Sequence, residues 1–277
     1  MCEFCTSHGE GKEWYLNVRN YSAELLNDPH RKSMIRNFYK EMVEQGNNKI
    51  TRMEQMFQHN PKLLERIRSA YVKEMKSTHF GQVLPLEDVG KILTTCNTAV
   101  RLPCGCRWAF SKQETRVCFG ISFGAPEWFN DLDTDYFGSP DVSKFDHLHK
   151  EQVLDQIRQL DGRGLVHSVW TFQTPFIGAI CNCELKSCLA MRSTIGLQMP
   201  LMFRSEKLAE VDAAKCRGCR ECGHLCQFGA VEYSEADNRS HINWRRCFGC
   251  GVCRAACSED AITLVDRKTH PFASSLW

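Results

Sequence analysis

The chain has 277 residues, of which 43% are hydrophobic, and a formal net charge of +2. A chain of this length and composition can bury a core and fold as one to three domains. With this near-neutral charge, neither the basic character of a nucleic-acid-binding protein nor an acidic tail stands out.

The sequence also indicates the cellular location of the protein. Residues 1–5 lack the basic and apolar regions of a signal peptide, and no apolar run reaches the roughly 18 residues that a membrane span needs. Seventeen cysteines in such a chain do not suggest a disulfide scaffold. We therefore expect a cytoplasmic protein without direct membrane insertion.

Residues 1–78 predict a small antiparallel helical domain. Apolar side chains recur at helical spacing from residue 13 to about residue 76, and Asp28-Pro29 and Gly46-Asn47 are predicted to end the first and second of four helices. Cys2 and Cys5 precede these helices in a C-x-x-C pair. The pair would serve as metal ligands, as half of a zinc site or as a reactive thiol pair, unless it is simply a frayed end.

Residues 79–207 predict a small, cysteine-rich α/β domain. Short β-prone runs at 82–84, 98–102, 165–170 and 176–180 alternate with helical patterns at 87–93 and about 143–160. The last helix and the two runs after it have the order of a winged helix. That helix is rich in acidic residues and poor in lysine and arginine, however, which argues against contact with phosphates.

Six cysteines of this domain lie where predicted strands end: Cys104, Cys106, Cys118, Cys181, Cys183 and Cys188. Loops at strand ends can converge on one point, and thiolates there are soft ligands for iron or zinc. We predict that the first three bind one 4Fe-4S cluster with a cysteine of the second group, for which Cys183 is our choice.

Two cysteine runs of identical spacing mark the third domain, residues 208–277. They are Cys216-x2-Cys219-x2-Cys222-x3-Cys226 and Cys247-x2-Cys250-x2-Cys253-x3-Cys257. Three thiolates at C-x-x-C-x-x-C spacing reach one cubane, whereas the fourth cysteine ligates the other cluster. The spacing therefore predicts two 4Fe-4S clusters with crossed ligation. A pair of zinc sites is the alternative, but zinc usually takes two C-x-x-C pairs for each metal ion.

These runs and the β-prone segments after them resemble the bacterial-type two-cluster ferredoxins over residues 208–268. That family usually has proline after the fourth cysteine, where this chain has Gln227 and Ser258. Ligation does not depend on this proline, but its absence restores a backbone N–H beside a ligand and leaves the bend less rigid. The resemblance implies a ferredoxin-like fold, and the three domains together predict an α+β protein.

A looser resemblance covers residues 102–107, 164–167 and 180–183, which look like stretches of poorly characterised iron-sulfur oxidoreductases of anaerobes. It implies at least one cluster beyond the ferredoxin pair. Nine cysteines remain after the eight ferredoxin ligands, and Cys96 is the predicted spare. The other eight would suffice for one or two more 4Fe-4S clusters; a zinc site or metal-free thiols are the alternatives.

The sequence therefore predicts a protein that relays single electrons between 4Fe-4S clusters, as a subunit or dedicated partner of a larger redox complex. The arginines around the ferredoxin cysteines support this interpretation, because freely diffusing ferredoxins steer to their partners with acidic surfaces. Two alternatives stay open: an iron-sulfur enzyme that reduces a substrate at a middle-domain cluster, and a cluster-based redox sensor.

Overall fold

The computed structural model describes residues 13–59, 61–124, 129, 130, 132, 133, 135 and 145–276. Cys2 and Cys5 lie outside these residues. The N-terminal part is helical, with 3-10 turns at Trp14–Leu16 and Val18–Tyr21 and a π-helical segment at Phe38–Glu44. Its α-helices are α1 (Ala23–Leu26), α2 (Pro29–Arg36), α3 (Gln45–His59) and α4 (Pro61–Thr78).

The first predicted helix is replaced by short turns because its aromatic residues pack on the next part of the chain. Trp14 Nε1 donates to Gln82 Oε1 at 2.6 Å, and the Tyr15 hydroxyl donates to Asp88 Oδ2 at 2.8 Å. The predicted boundary at Asp28-Pro29 is confirmed, since Asp28 caps α2 by accepting a hydrogen bond from the Arg31 amide.

The predicted helix end at Gly46-Asn47 is wrong, because the helical segment that begins at Phe38 continues into α3. Tertiary contacts outweigh the low helix propensity of these two residues. The Asn47 side chain donates to the Ala109 carbonyl and accepts from Arg192 Nη1 at 2.8 Å.

The middle of the chain forms one seven-stranded sheet with the order β4-β2-β3-β6-β5-β1-β7. All neighbouring strands are antiparallel except β1 and β7. The strands are β1 (Gly81–Leu84), β2 (Thr98–Leu102), β3 (Cys118–Ser122), β4 (Asp146–Leu148), β5 (Val166–Thr171), β6 (Ile177–Cys183) and β7 (Met202–Phe203). The helices are α5 (Leu86–Thr95), α6 (Gly105–Ser111), α7 (Lys150–Gly162) and α8 (Leu189–Met191), followed by a π-helical segment at Arg192–Gly196.

The winged-helix arrangement is not found. Helix α7 does precede the β5–β6 hairpin, but both strands lie inside the large sheet and form no free wing. The helix also begins later than expected, at Lys150, because residues 146–148 pair with β2 as strand β4.

The C-terminal part has two strand pairs and two short helices. The strands are β8 (Lys207–Val211), β9 (Val231–Ser234), β10 (Arg239–Ile242) and β11 (Ile262–Asp266), and the helices are α9 (Glu221–Leu225) and α10 (Val252–Ala255). Two 3-10 turns follow, at Arg267–Thr269 and Ala273–Ser275. Strand β8 pairs with β11, and β9 pairs with β10, both antiparallel. The β8–β11 pair joins the first and last strands of this part.

One hydrophobic cluster connects all three parts of the chain. It contains Ile35 and Tyr39 of the N-terminal helices, Val166 and Trp170 of the sheet, and Cys253 of the C-terminal part. Because the cluster is continuous and closely packed, it fixes the positions of the C-terminal cysteines relative to those of the sheet.

Candidate iron-sulfur centres

The two cysteine runs of the C-terminal part occupy matching loops. Gly218 and Gly249 each stand after the first cysteine of a run with positive φ, at 75° and 71°. A Cβ at these positions would lie 2.4 Å from the Asn238 carbonyl oxygen and 1.9 Å from that of Lys207. Only glycine allows the two loops to lie this close to neighbouring backbone.

Two small cavities of about 20 Å³ each lie inside these loops. The cysteines that line the first are Cys216, Cys219, Cys222 and Cys257. Those that line the second are Cys226, Cys247, Cys250 and Cys253. We call these the outer site and the inner site. Each cavity is thus surrounded by three cysteines of one run and the last cysteine of the other.

Backbone amides reach the last cysteine of each run in the same way. The Ala230 amide donates to Cys226 Sγ and the Ala261 amide to Cys257 Sγ, both at 3.3 Å. Hydrogen bonds to ligand sulfur are one of the means by which a protein raises the potential of a 4Fe-4S cluster. The donor set therefore fits two such clusters.

The two sites differ in exposure. Cys219 of the outer site is exposed, and Cys216 and Cys257 are partly exposed. At the inner site Cys247, Cys250 and Cys253 are all buried. The outer site therefore faces solvent, whereas the inner site faces the rest of the protein.

Two arginines that the sequence analysis missed lie beside the inner site. Arg204 Nη1 and Arg267 Nη2 each donate to the Cys247 carbonyl at 3.0 Å. Arg267 is fully buried, and this burial lowers its pKa to about 10. No pattern of spacing marks these residues in the sequence, because their partners are backbone carbonyls of distant loops.

The five arginines predicted to flank the clusters have different partners. Arg217 pairs with Glu259 at 3.0 Å and Arg254 with Glu87 at 2.5 Å. Arg220 lies over the ring of Tyr233 and Arg245 over that of Trp244, while Arg246 donates to the Gly229 carbonyl. Two of the five are thus balanced by carboxylates, which reduces the positive charge available to a partner.

The six middle-domain cysteines come together through the sheet. Cys104 ends the segment after β2, Cys106 lies in α6, and Cys118 begins β3 opposite Leu102. Strand β6 lies beside β3 and carries Cys181 and Cys183, while Cys188 precedes α8. Strand pairing therefore brings together two groups of cysteines that are about 60 residues apart.

Their thiols interact in a series of neighbouring pairs. Cys104 lies near Cys106 and Cys118, and Cys118 lies near Cys181, so that each thiol affects the pKa of its neighbour. Cys188 is related in the same way to Cys106 and Cys183. Cys181, Cys183 and Cys188 thus each interact with a thiol of the first group. Within the described residues, no three His, Cys, Asp or Glu side chains converge as the ligands of a single metal ion.

A cavity of about 120 Å³ opens beside these six thiols, and all six line it. Arg107 also lines it and bonds through Nε to Glu184 Oε1 at 3.1 Å. The thiols of Cys104 and Cys118 and the Glu184 carboxylate raise the pKa of Arg107 above its usual range, against the effect of burial. Arg107 therefore supplies a fixed positive charge next to the thiol group.

Cys96, the predicted spare, lies apart from this cavity. It does not line the cavity but is buried in a hydrophobic cluster with Leu93 and Ala99, and burial raises the pKa of its thiol to about 12. Such a thiol acts as a small apolar side chain.

Gln227 joins the inner site to the six-cysteine cavity. Its Oε1 accepts a hydrogen bond from the Leu185 amide and its Nε2 donates to the Gly164 carbonyl, each at 3.0 Å. Gln227 directly follows Cys226, and Leu185 lies between Cys183 and Cys188. The residue that replaces the family's proline thus connects the loop after Cys226 with the loop between Cys183 and Cys188.

Comparison with known proteins agrees with the C-terminal geometry. Residues 215–262 match the family model of the 4Fe-4S dicluster domain. This part of the chain is therefore a ferredoxin-like domain that holds two 4Fe-4S clusters, and it gives the protein an iron-sulfur electron-transfer function.

Two curated relatives match a 59-residue segment of the chain. The chain is 39% identical over 59 residues to the archaeal-type glutamate synthase [NADPH] of Thermotoga sp. (strain RQ2) and to that of Thermotoga maritima. The match covers 21% of this chain but only 12% of either relative.

In the part of the chain that the structure describes, no helix has the length and apolar character to span a membrane.

Proposed function

We propose that this protein relays single electrons between a redox partner and the six-cysteine cavity of its middle domain. Bound 4Fe-4S clusters each take up and release one electron. The exposed Cys219 gives the outer site access to a partner, while the inner site contacts the middle of the chain through Gln227 and Arg204. The observation that carries this order is the Gln227 bridge from Cys226 to the loop of Cys183 and Cys188.

We further propose that the six-cysteine cavity holds one additional 4Fe-4S cluster. Cys104, Cys106 and Cys118 would supply three ligands, with the fourth from Cys181, Cys183 or Cys188. The proximity of the two groups supports this assignment, because one cubane can then be reached from both loops. Arg107 would offset part of the negative charge that four thiolates give the cluster.

Iron and acid-labile sulfide in the anaerobically purified protein test this proposal. We expect about 12 iron atoms in each chain, which corresponds to three clusters of four. The double variant Cys104→Ala, Cys118→Ala should fall to about 8 and keep the reduced-state EPR signals of the ferredoxin domain. A wild-type protein with only about 8 iron atoms would disprove the additional cluster.

We also propose that the protein works as a subunit or dedicated partner of a larger oxidoreductase. The related segments of the two Thermotoga proteins lie within glutamate synthases [NADPH], which supports an oxidoreductase setting. Phe272, 64% exposed and stacked on Trp244, offers an apolar contact surface beside the ferredoxin domain. The N-terminal helices would supply further docking surface.

A further inference from the structure

The six-cysteine cavity is larger than a cubane site of this protein needs to be. The outer and inner sites, each shaped for one 4Fe-4S cluster, have cavities of about 20 Å³, whereas the six-cysteine cavity has about 120 Å³. One cluster beside the six thiols would therefore leave most of the space open.

The wall opposite the thiols is apolar and aromatic. Phe38 and Phe172 meet with ring centroids 4.9 Å apart, and Met42 and Met75 line the same space from the N-terminal helices. An apolar cavity of about 150 Å³ with walls of this kind binds benzene in another protein. The open volume here is thus of the right order for a single aromatic ring.

One polar group in this wall can select a ligand. His79 stacks on Trp170 at 4.9 Å, and its Nδ1 lies 2.6 Å from the Thr171 carbonyl oxygen. A carbonyl only accepts hydrogen bonds, so Nδ1 carries the proton. In the neutral ring Nε2 then has a lone pair, and it has no hydrogen-bond donor among the described residues that surround it.

The charges near the cavity are already paired. The Arg107 guanidinium bonds with Glu184 and with the Asn182 carbonyl. Tyr39, whose hydroxyl donates to the Pro103 carbonyl, is likewise committed. A charged ligand would have to leave water without a free counter-charge, which costs several kcal/mol. The cavity therefore favours an uncharged molecule.

We propose that this cavity binds a small, uncharged aromatic molecule that carries one hydroxyl or N–H group, with the ring against Phe38 and Met42 and the donor on His79 Nε2. The inference rests on the proposed function, because it gives the far end of the relay a ligand.

Phenol, toluene and benzoate are the probes that test this site. Each is titrated into the anaerobic, cluster-loaded protein, with binding measured by calorimetry and by ligand-detected NMR. We expect phenol to bind, toluene to bind about tenfold more weakly because it lacks the donor, and benzoate to bind at least tenfold more weakly because it is charged. Equal binding of phenol and benzoate would overturn the proposal.

Variants separate this site from nonspecific binding. His79→Phe should bind phenol and toluene equally, and Met42→Trp, which fills the cavity, should abolish phenol binding. Val18→Trp adds the same ring at a position that is 54% exposed and should leave phenol binding unchanged. If Met42→Trp does not fold, His79→Phe, which keeps an aromatic ring at this position, still decides the outcome, since an unchanged preference for phenol would contradict the assigned donor site.

The iron content distinguishes failure of this inference from failure of the proposed function. About 12 iron atoms in each chain without phenol binding would refute the ligand site and leave the relay intact. About 8 iron atoms with phenol binding that Met42→Trp abolishes would refute the additional cluster and keep the ligand site.

Discussion

Cys226 follows helix α9 of the first cysteine run, yet it lines the cavity of the second run with Cys247, Cys250 and Cys253. Crossed ligation predicts that Cys226→Ala damages the inner cluster and spares the outer one. The matched variant Cys257→Ala should do the reverse. EPR of the reduced protein with site-selective signals measures both; an inner cluster that survives Cys226→Ala while the outer one is lost would contradict the assignment.

His79 gives the folded protein a dependence on pH. Burial lowers its pKa from 6.5 to about 4. Below pH 6.5 the unfolded chain takes up a proton that the folded chain does not bind, so the free energy of unfolding falls as the pH drops from about 6.5 to about 4. Between pH 7.5 and pH 5.5 the loss is about 1 kcal/mol.

Anaerobic thermal unfolding at these two pH values measures this loss. Between pH 7.5 and pH 5.5, the free energy of unfolding of His79→Gln should fall by about 1 kcal/mol less than that of the wild type. His59→Gln replaces an exposed histidine and should retain the wild-type dependence. If the free energy of unfolding depended on pH equally in the wild type and in His79→Gln, His79 would not be the group that causes the dependence.

At the scale of single elements, the loop after Cys226 and the loop after Cys257 offer a matched pair. Gln227 connects its loop to Leu185 and Gly164, whereas Ser258, at the equivalent position, bonds with Arg217 and Glu259 of its own domain. Gln227→Ala removes two hydrogen bonds between parts of the chain, which costs roughly 1 to 3 kcal/mol of contact energy.

We expect Gln227→Ala to keep both ferredoxin clusters but to expose residues 184–188. Amide hydrogen exchange should accelerate at Leu185 in this variant and remain unchanged in Ser258→Ala. Protection at Leu185 that equals the wild type in both variants would mean that other contacts hold the two parts together.

The sequence predicted the elements whose signals are local. The cysteine spacing located the ferredoxin-like domain, and short β-prone runs located β2, β5 and β6. The continuation of α3 through Gly46 was not predictable, because it depends on contacts with Ala109 and Arg192. Similarly, the missing proline at Gln227 was visible, but its partners at Gly164 and Leu185 were not, since they lie in another part of the chain.

For the molecule as a whole, the net charge affects how it associates with a redox partner. The net charge is +2, and Arg217 and Arg220 lie beside the outer site. Long-range steering by an acidic surface is therefore weak, and a stable complex is the expected alternative.

Gentle anaerobic purification from the native source tests this expectation, and we expect the protein to elute with a second redox protein at moderate salt. The variant Phe272→Ser, which removes the exposed ring, should weaken the complex. Its iron content should stay unchanged, which controls for damage to the clusters. A protein that elutes alone, and that reduces a general ferredoxin-dependent enzyme at a rate falling steeply with salt, would contradict the lasting complex.

The uneven exposure of the cysteines also determines how the protein fails in air. Cys219 is the exposed cysteine among those that the structure describes, and the thiols of the inner site and of the sheet are buried or partly buried. Oxidation of cysteine ligands follows exposure, so oxygen and peroxide attack the outer site first. In the relay that we propose, a protein damaged in air therefore loses electron transfer with its redox partner while the inner site is still intact.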